Sequence, residues 1–184
     1  MKAALLKAYG GTDQFVVEEV PTPEPGAGEV LIKIEASGVN PFDLILRQGY
    51  MAQHIPLPFP AILGGDAAGI VAKFGEGVTG FAVGDRVVGD FTANGRGAHA
   101  EYGVLPASSV AKLPDNLDFE QGATLVKAGL TGRQTVDALR IKVDALRIKA
   151  GDCVLISGAL GAVGRAAVQY IKQIGAQPVA GVPA

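Results

Sequence analysis

The feature that most restricts this chain is a glycine-rich stretch, Ser157-Gly158-Ala159-Leu160-Gly161-Ala162-Val163-Gly164, set between two apolar runs. The run before it, Cys153-Val154-Leu155-Ile156-Ser157, is short and aliphatic, which predicts a strand. The run after it is rich in alanine and predicts a helix to about Ile174. Gln177 to Val182 then reads as a second strand. Strand, helix, strand is the βαβ unit of a parallel sheet, because parallel neighbours need a crossover of this kind.

That context gives the glycines a chemistry. A helix amino terminus offers unpaired N–H groups and the positive end of the helix dipole, a combination that suits a pyrophosphate. Glycines allow the tight turn and let backbone approach phosphate closely. The spacing is G-x-x-G-x-x-G rather than G-x-G-x-x-G. Alone, such a turn also serves simple packing of helix on strand. The strand before it and the helix and strand after it favour nucleotide binding. An acidic residue at the end of the second strand would hold a ribose hydroxyl and favour NAD. Gly181-Val182-Pro183-Ala184 contains neither a carboxylate nor an arginine, which leans towards NADP.

The first 125 residues have a different texture. Phe15 to Val20 and Glu29 to Glu35 roughly alternate apolar and charged residues, and both predict strands. Pro21, Pro23, Pro25, Gly26 and Gly28 make the stretch between them a turn region. Gly69 to Phe74, Arg86 to Phe91, His99 to Leu105 and Val110 to Leu113 are further strand candidates, and Asn40-Pro41 opens one or two helical turns. Regularly spaced short strands argue for a small barrel or sandwich. The 26 glycines and 11 prolines fit that reading.

Composition removes other classes. A formal net charge of −2 offers no broad basic surface for nucleic acid. No apolar run is long enough to span a bilayer, so no membrane role is expected. Charge enters too early in Met1-Lys2-Ala3-Ala4-Leu5-Leu6-Lys7 for a secretory signal. Cys153 is the single cysteine, which excludes an intrachain disulfide and a cysteine-rich zinc site. A cytoplasmic protein is expected.

Helices are expected after Pro114. Asp118 and Gln121 have the spacing of a capping box. A longer helix is expected from about Leu130 to Lys149. Within it, Val136-Asp137-Ala138-Leu139-Arg140-Ile141-Lys142 recurs unchanged as residues 143–149. Seven residues is nearly two turns, so a helix absorbs the second copy with little change of face. The simple reading is a tandem duplication that lengthens one helix by roughly 10 Å. The sharper reading is a short coiled-coil seam of Val136, Leu139, Val143 and Leu146, with Ile141 off the stripe.

Five motifs in order bring in a family. Gly38-Val39-Asn40-Pro41-Phe42-Asp43, with Arg47 and Gly49 after it, is similar to a G-V-N-P-x-D…R-x-G segment. Gly64-Gly65-Asp66-Ala67-Ala68-Gly69-Ile70-Val71 resembles G-x-D-x-A-G-x-V. Gly84-Asp85-Arg86-Val87, Ala128-Gly129-Leu130-Thr131 and the glycine turn complete the series. Together they resemble the zinc-independent medium-chain dehydrogenases/reductases of the quinone oxidoreductase (zeta-crystallin-like) group. The resemblance implies a GroES-like β-barrel over residues 1–125 and an incomplete α/β Rossmann unit over 126–184. It also implies NADPH as cofactor and a quinone or enone as small-molecule substrate.

The same comparison speaks against zinc. In zinc-dependent relatives a cysteine stands where this chain has Asn40, and a histidine where it has Gly65. Asparagine is a poor zinc ligand and glycine has no side chain. No metal site is therefore expected, and alcohol oxidation by a Lewis acid is disfavoured. By resemblance, Asn40 and Thr131 sit near the nicotinamide, each offering a hydrogen bond. Gly158, Ala159, Gly161, Ala162, Val163 and Gly164 line the pyrophosphate, and Tyr50 faces the substrate, with a phenol able to donate a proton. Each also has a plainer reading. Asn40 before Pro41 suits a turn, Thr131 a helix cap, and Tyr50 simple packing. His54 and His99 have no metal-ligand spacing and are expected to be structural, and Asp66 and Asp85 to fix loops.

There are departures from the family pattern. Gly132-Arg133 stands where small and aromatic residues are usual. The chain ends after the second predicted Rossmann strand, whereas a full doubly wound sheet has about six. Two functions are therefore expected to compete. One is an NADPH-dependent quinone or enone reductase whose turnover by this chain alone is poor. The other is a non-catalytic GroES-like protein acting by self-association through an open sheet edge or by binding a partner.

Overall fold

The computed structural model describes residues 1–141 and 148–181. They fall into two compact units, Met1–Val126 and Lys127–Ala184.

In the first unit the longest strand, β3 (Glu29–Gly38), is the spine, because its alternating residues Val30 and Ile32 are fully buried while Lys33 and Glu35 point out. It pairs antiparallel with β5 (Asp66–Phe74) on one side and β7 (Tyr102–Pro106) on the other. With β6 (Arg86–Asp90) and β8 (Val110–Lys112) they form a five-stranded sheet in the order β7-β3-β5-β6-β8. The β3–β5 register shifts between Leu31 and Ile32 and again between Ile34 and Ala36. Such bulges increase twist and bend a strand, which is how a short sheet curls around a core. A second sheet, β2-β1-β4, is made of β1 (Lys2–Leu6), β2 (Phe15–Glu19) and β4 (Ala61–Ile62). The bridges Ala3↔Ala100 and Ile62↔Arg96 tie it to the segment before β7. Val30, Ile32, Ala67, Val71, Val87, Phe91 and Leu105 form the main core, and Leu6, Leu46, Leu57, Ala61 and Leu63 a second one.

Several expectations change here. β1 and β4 were not foreseen, since Lys2-Ala3-Ala4-Leu5-Leu6 does not alternate and β4 is only two residues long. β5 begins at Asp66 rather than Gly69, because Asp66 to Ala68 continue both ladders. β7 begins at Tyr102 rather than His99, because the His99 carbonyl accepts instead from Ala4 N–H at 2.9 Å.

Helix α1 (Pro41–Arg47) starts where a proline at the first helical position is free of a hydrogen-bonding duty. Helix α2 (Phe119–Leu125) carries the expected capping box. Gln121 N–H donates to Asp118 Oδ1 at 2.7 Å, and Asp118 N–H to Gln121 Oε1 at 3.2 Å.

The second unit contains helix α3 (Lys127–Ile141), strand β9 (Cys153–Ser157), helix α4 (Ala162–Gln173) and strand β10 (Gln177–Gly181). β9 and β10 pair in parallel, Cys153 opposite Gln177 and Ser157 opposite Gly181. Val136, Ile148, Ala167, Ile171 and Ala176 form its core. Helix α3 begins three residues before the expected Leu130. Residues 142–147, most of the second heptad copy, and 182–184 lie outside the described residues, as do Val143 and Leu146 of the expected seam.

The unexpected pair Gly132-Arg133 has a physical explanation within this unit. A Cβ at Gly132 would lie 2.8 Å from Ala166 Cβ and 2.8 Å from Val163 O, so helices α3 and α4 touch through a residue with no side chain. Arg133 lies 5.0 Å from the Tyr170 ring centroid and 3.3 Å from Asp137, which itself accepts from Tyr170 O–H at 2.9 Å.

Candidate functional site

In the first unit the candidate residues gather at the end of the β3–β5 ladder. Its last pair is Gly38 opposite Asp66. A Cβ at Gly38 would lie 2.9 Å from Asp66 Oδ2, so a bare position there leaves room for the carboxylate. The carboxylate reaches past Gly38 to Asn40, whose Nδ2 donates to Asp66 Oδ2 at 2.7 Å. Asp66 is 3% exposed. Asn40 is also the residue before α1, in a capping box with Asp43. Its backbone N–H donates to Asp43 Oδ2 at 2.7 Å, and Asp43 is 6% exposed. Asn40 is thus more than a turn residue: its backbone and side chain are each held by a buried carboxylate.

The remaining candidates of this unit separate clearly. Tyr50 follows α1 and is 74% exposed, so it is not a packing residue. His54 is exposed, whereas His99 is half-buried with Nε2 3.3 Å from Gly38 O. Asp85 fixes its turn, accepting from Ala82 N–H at 2.9 Å and pairing with Lys112 Nζ at 2.9 Å. Those two donors, Lys112 first, hold its carboxyl below the ordinary carboxylate value. Among the described residues, no three His, Cys, Asp or Glu side chains come together as a metal site would require.

In the second unit the glycine turn joins β9 to α4. Gly158 has φ +69°, the left-handed region that glycine enters without cost. Its carbonyl accepts from Gly161 N–H at 3.0 Å, which closes the turn. Gly164 packs against this turn so closely that a Cβ would overlap the Gly158 carbonyl oxygen. Gly161 precedes the helix with extended dihedrals, φ −70° and ψ 164°, so it faces no backbone restriction. It puts no side chain at the head of a helix twelve residues long. Arg165 folds back, Nε donating to Leu160 O at 2.9 Å. A cation beside the positive end of a helix dipole is locally unfavourable, and an anion there would relieve it. Sequence reasoning missed Arg165. A basic residue in the first turn of a helix was the available signal.

Thr131 lies on the exposed surface of α3, inside the helix and not at its start. The capping reading of Thr131 is therefore wrong, because α3 begins four residues earlier. Its carbonyl accepts from Thr135 Oγ1 at 2.8 Å.

Residues 26–115 match the alcohol dehydrogenase GroES-like domain. The chain is 40% identical to the trans-enoyl reductase tazE of Aspergillus terreus, over 94% of this chain and 59% of that protein. It is 35% identical to the human quinone oxidoreductase, over 95% of this chain and 50% of that protein. Over nearly its whole length the chain is similar to the quinone oxidoreductase type of medium-chain dehydrogenases/reductases. This family is one of oxidoreductases, and its fold is shared in detail. A mycobacterial protein solved in complex with NADPH superposes with a TM-score of 0.82 at 34% identity, over 100% of this chain and 53% of that one. Its architecture is accordingly a GroES-like barrel followed by part of a Rossmann unit. The chain spans about half to three fifths of the length of these relatives. Among the described residues no helix is long and apolar enough to cross a membrane.

Proposed function

We propose that this chain forms part of an NADPH-dependent reductase acting on an electron-poor small molecule, a quinone or an activated alkene. The observation that carries the reading is the β9–turn–α4–β10 unit, with Gly158 in the left-handed region, Gly164 packed on the turn and Gly161 clearing the helix head. These residues fit a dinucleotide because they combine the N–H groups of a helix head, its dipole and close backbone approach. Gly158, Ala159, Gly161, Ala162, Val163 and Gly164 would hold the pyrophosphate. Arg165 adds a positive charge beside it. Asn40 and Thr131 would orient the nicotinamide.

Bound in this way, NADPH supplies a hydride. The chain's own contribution is to orient and to manage protons. Asn40 is rigid, being anchored to Asp43 and Asp66, and a rigid amide orients a partner at low entropic cost. Tyr50 exposes a phenol that can donate a proton to the reduced acceptor. Zinc plays no part in this proposal. The Asn40 amide is already engaged by Asp66, and Gly65 contributes no ligand. A cytoplasmic setting belongs to the same reading.

Stopped assays of NADPH consumption with a quinone and with an enone, each with and without a zinc chelator, test it. Turnover that a chelator leaves unchanged is expected of the complete enzyme, and chelator-sensitive alcohol oxidation would refute it. One observation favours a second reading, a non-catalytic role through self-association. Leu155 and Val179 are cross-strand neighbours, 73% and 49% exposed, on one face of the β9–β10 sheet. A protein that dimerises in solution through this face and binds no NADPH would decide for that role.

A further inference from the structure

The buried carboxylate of Asp66 has no assigned part in the proposed chemistry, and its geometry gives it one. An ionised carboxylate only accepts hydrogen bonds. The side-chain amide of Asn40 meets Asp66 Oδ2 at 2.7 Å, and only its nitrogen can donate there. An amide turned the other way would set its oxygen against the carboxylate. Asp66 therefore decides which end of the Asn40 amide faces inward. Its own position is fixed twice, by pairing with Gly38 on β3 and with Asp90 on β6. It is also buried, so water does not compete effectively for the bond.

We infer that Asp66 is a positioning residue that locks the Asn40 side chain in a single amide orientation for ligand binding. This rests on the reading of Asn40 as a nicotinamide-orienting residue. With one Nδ2 hydrogen consumed by Asp66 and the amide oxygen turned to the Asp43 N–H of the capping box, Asn40 retains one donor hydrogen for a ligand. A ligand carboxamide, which has one donor end and one acceptor end, is recognised by its acceptor end at such a donor. An amide free to flip would offer both edges and discriminate neither. The two residues are 26 positions apart, so the coupling is a property of the β3–β5 register rather than of either motif.

Two measurements on the full chain test this. The first is the side-chain amide pair of Asn40 in a 15N–1H spectrum of the ligand-free protein. The hydrogen given to Asp66 is expected to exchange with water much more slowly than its geminal partner and to move downfield of its position in the Asp66→Asn variant. An Asn40 pair with ordinary, rapidly exchanging signals would overturn the lock. The second is a double-mutant cycle read by NADPH titration. Asp66→Asn and Asn40→Ala are each expected to weaken binding on the order of tenfold, and the double variant hardly more than either. A residue that merely supports the fold would weaken binding by the same factor in both backgrounds, which would overturn the inference. If Asp66→Asn does not fold, the wild-type amide signals still decide the lock. Failure of the cofactor reading is distinct: a wild-type chain that binds no NADPH removes Asp66's role towards a cofactor, while the Asn40 signals report the lock independently.

Discussion

The two units hold their candidate residues by opposite means. In the first, Asn40 is fixed by side chains, two buried carboxylates placed by strand register and by a helix start. In the second, the glycine turn is shaped mainly by backbone, with Gly158 in the left-handed region and no room for a Cβ at Gly164, and one side chain, Arg165, donating to the Leu160 carbonyl. The difference follows from what each part would touch. A base or carboxamide is recognised by directed donors and acceptors, which need oriented side chains. A pyrophosphate is large and diffusely charged, and backbone N–H groups at a helix head suit it. Substitution should therefore act differently in the two units: through lost partners in the first and through added atoms in the second.

The largest effect is expected where an added atom meets backbone in a buried ladder. Gly69→Ala should cost on the order of 3 kcal/mol by thermal or chemical denaturation, since the new methyl would collide with the Lys33 carbonyl of β3. Gly164→Ala should follow, at about 2 kcal/mol, and should also abolish NADPH binding by displacing the turn. A Gly164→Ala protein of normal stability and affinity would break the contrast between the units. Loss of a partner should cost less. Asp118→Ala removes the α2 cap and should lower stability by about 1 kcal/mol. Tyr170→Phe deletes one hydrogen bond to Asp137 and should cost about 0.5–1 kcal/mol, seen as a small fall in melting temperature.

The smallest effect concerns pH. The Asp85 carboxyl lies below its ordinary value chiefly because of Lys112. Its stabilising contribution is complete above the unfolded carboxylate value and is lost as pH falls through the folded one. Asp85→Asn should flatten the acid side of the stability profile slightly, the pair being solvent-exposed and screened.

How much of this was legible in sequence depends on how local the physics is. The Asp118–Gln121 box, the start of α1 at Asn40-Pro41 and the β9–turn–α4–β10 unit are set by neighbours within a few residues, and each was readable. The strands with alternating residues were readable too. β1 and β4 were not, because their ladders are defined by partners elsewhere in the chain and not by their own pattern. Gly132-Arg133 looked like a defect, and becomes sensible only once α3 and α4 are seen to touch at that point. The candidate site was legible as a set of residues but not as a network. Asp66 read as a loop-fixing carboxylate, because no local pattern joins it to Asn40.

The central claim is that the glycine turn of the second unit is a working dinucleotide site, and Gly161 offers the most direct test. Its dihedrals suit any residue, and a Cβ there would meet only the Gly158 oxygen, at 3.3 Å, so Gly161→Leu should fold with a shift of a few tenths of an ångström in the turn. The new side chain would occupy the space at the head of α4. Calorimetric titration of NADPH into both proteins is expected to show saturable binding by the wild type and a loss of at least about tenfold in Gly161→Leu at unchanged melting temperature. Equal affinity in the two proteins, or no binding by the wild type, would contradict the account.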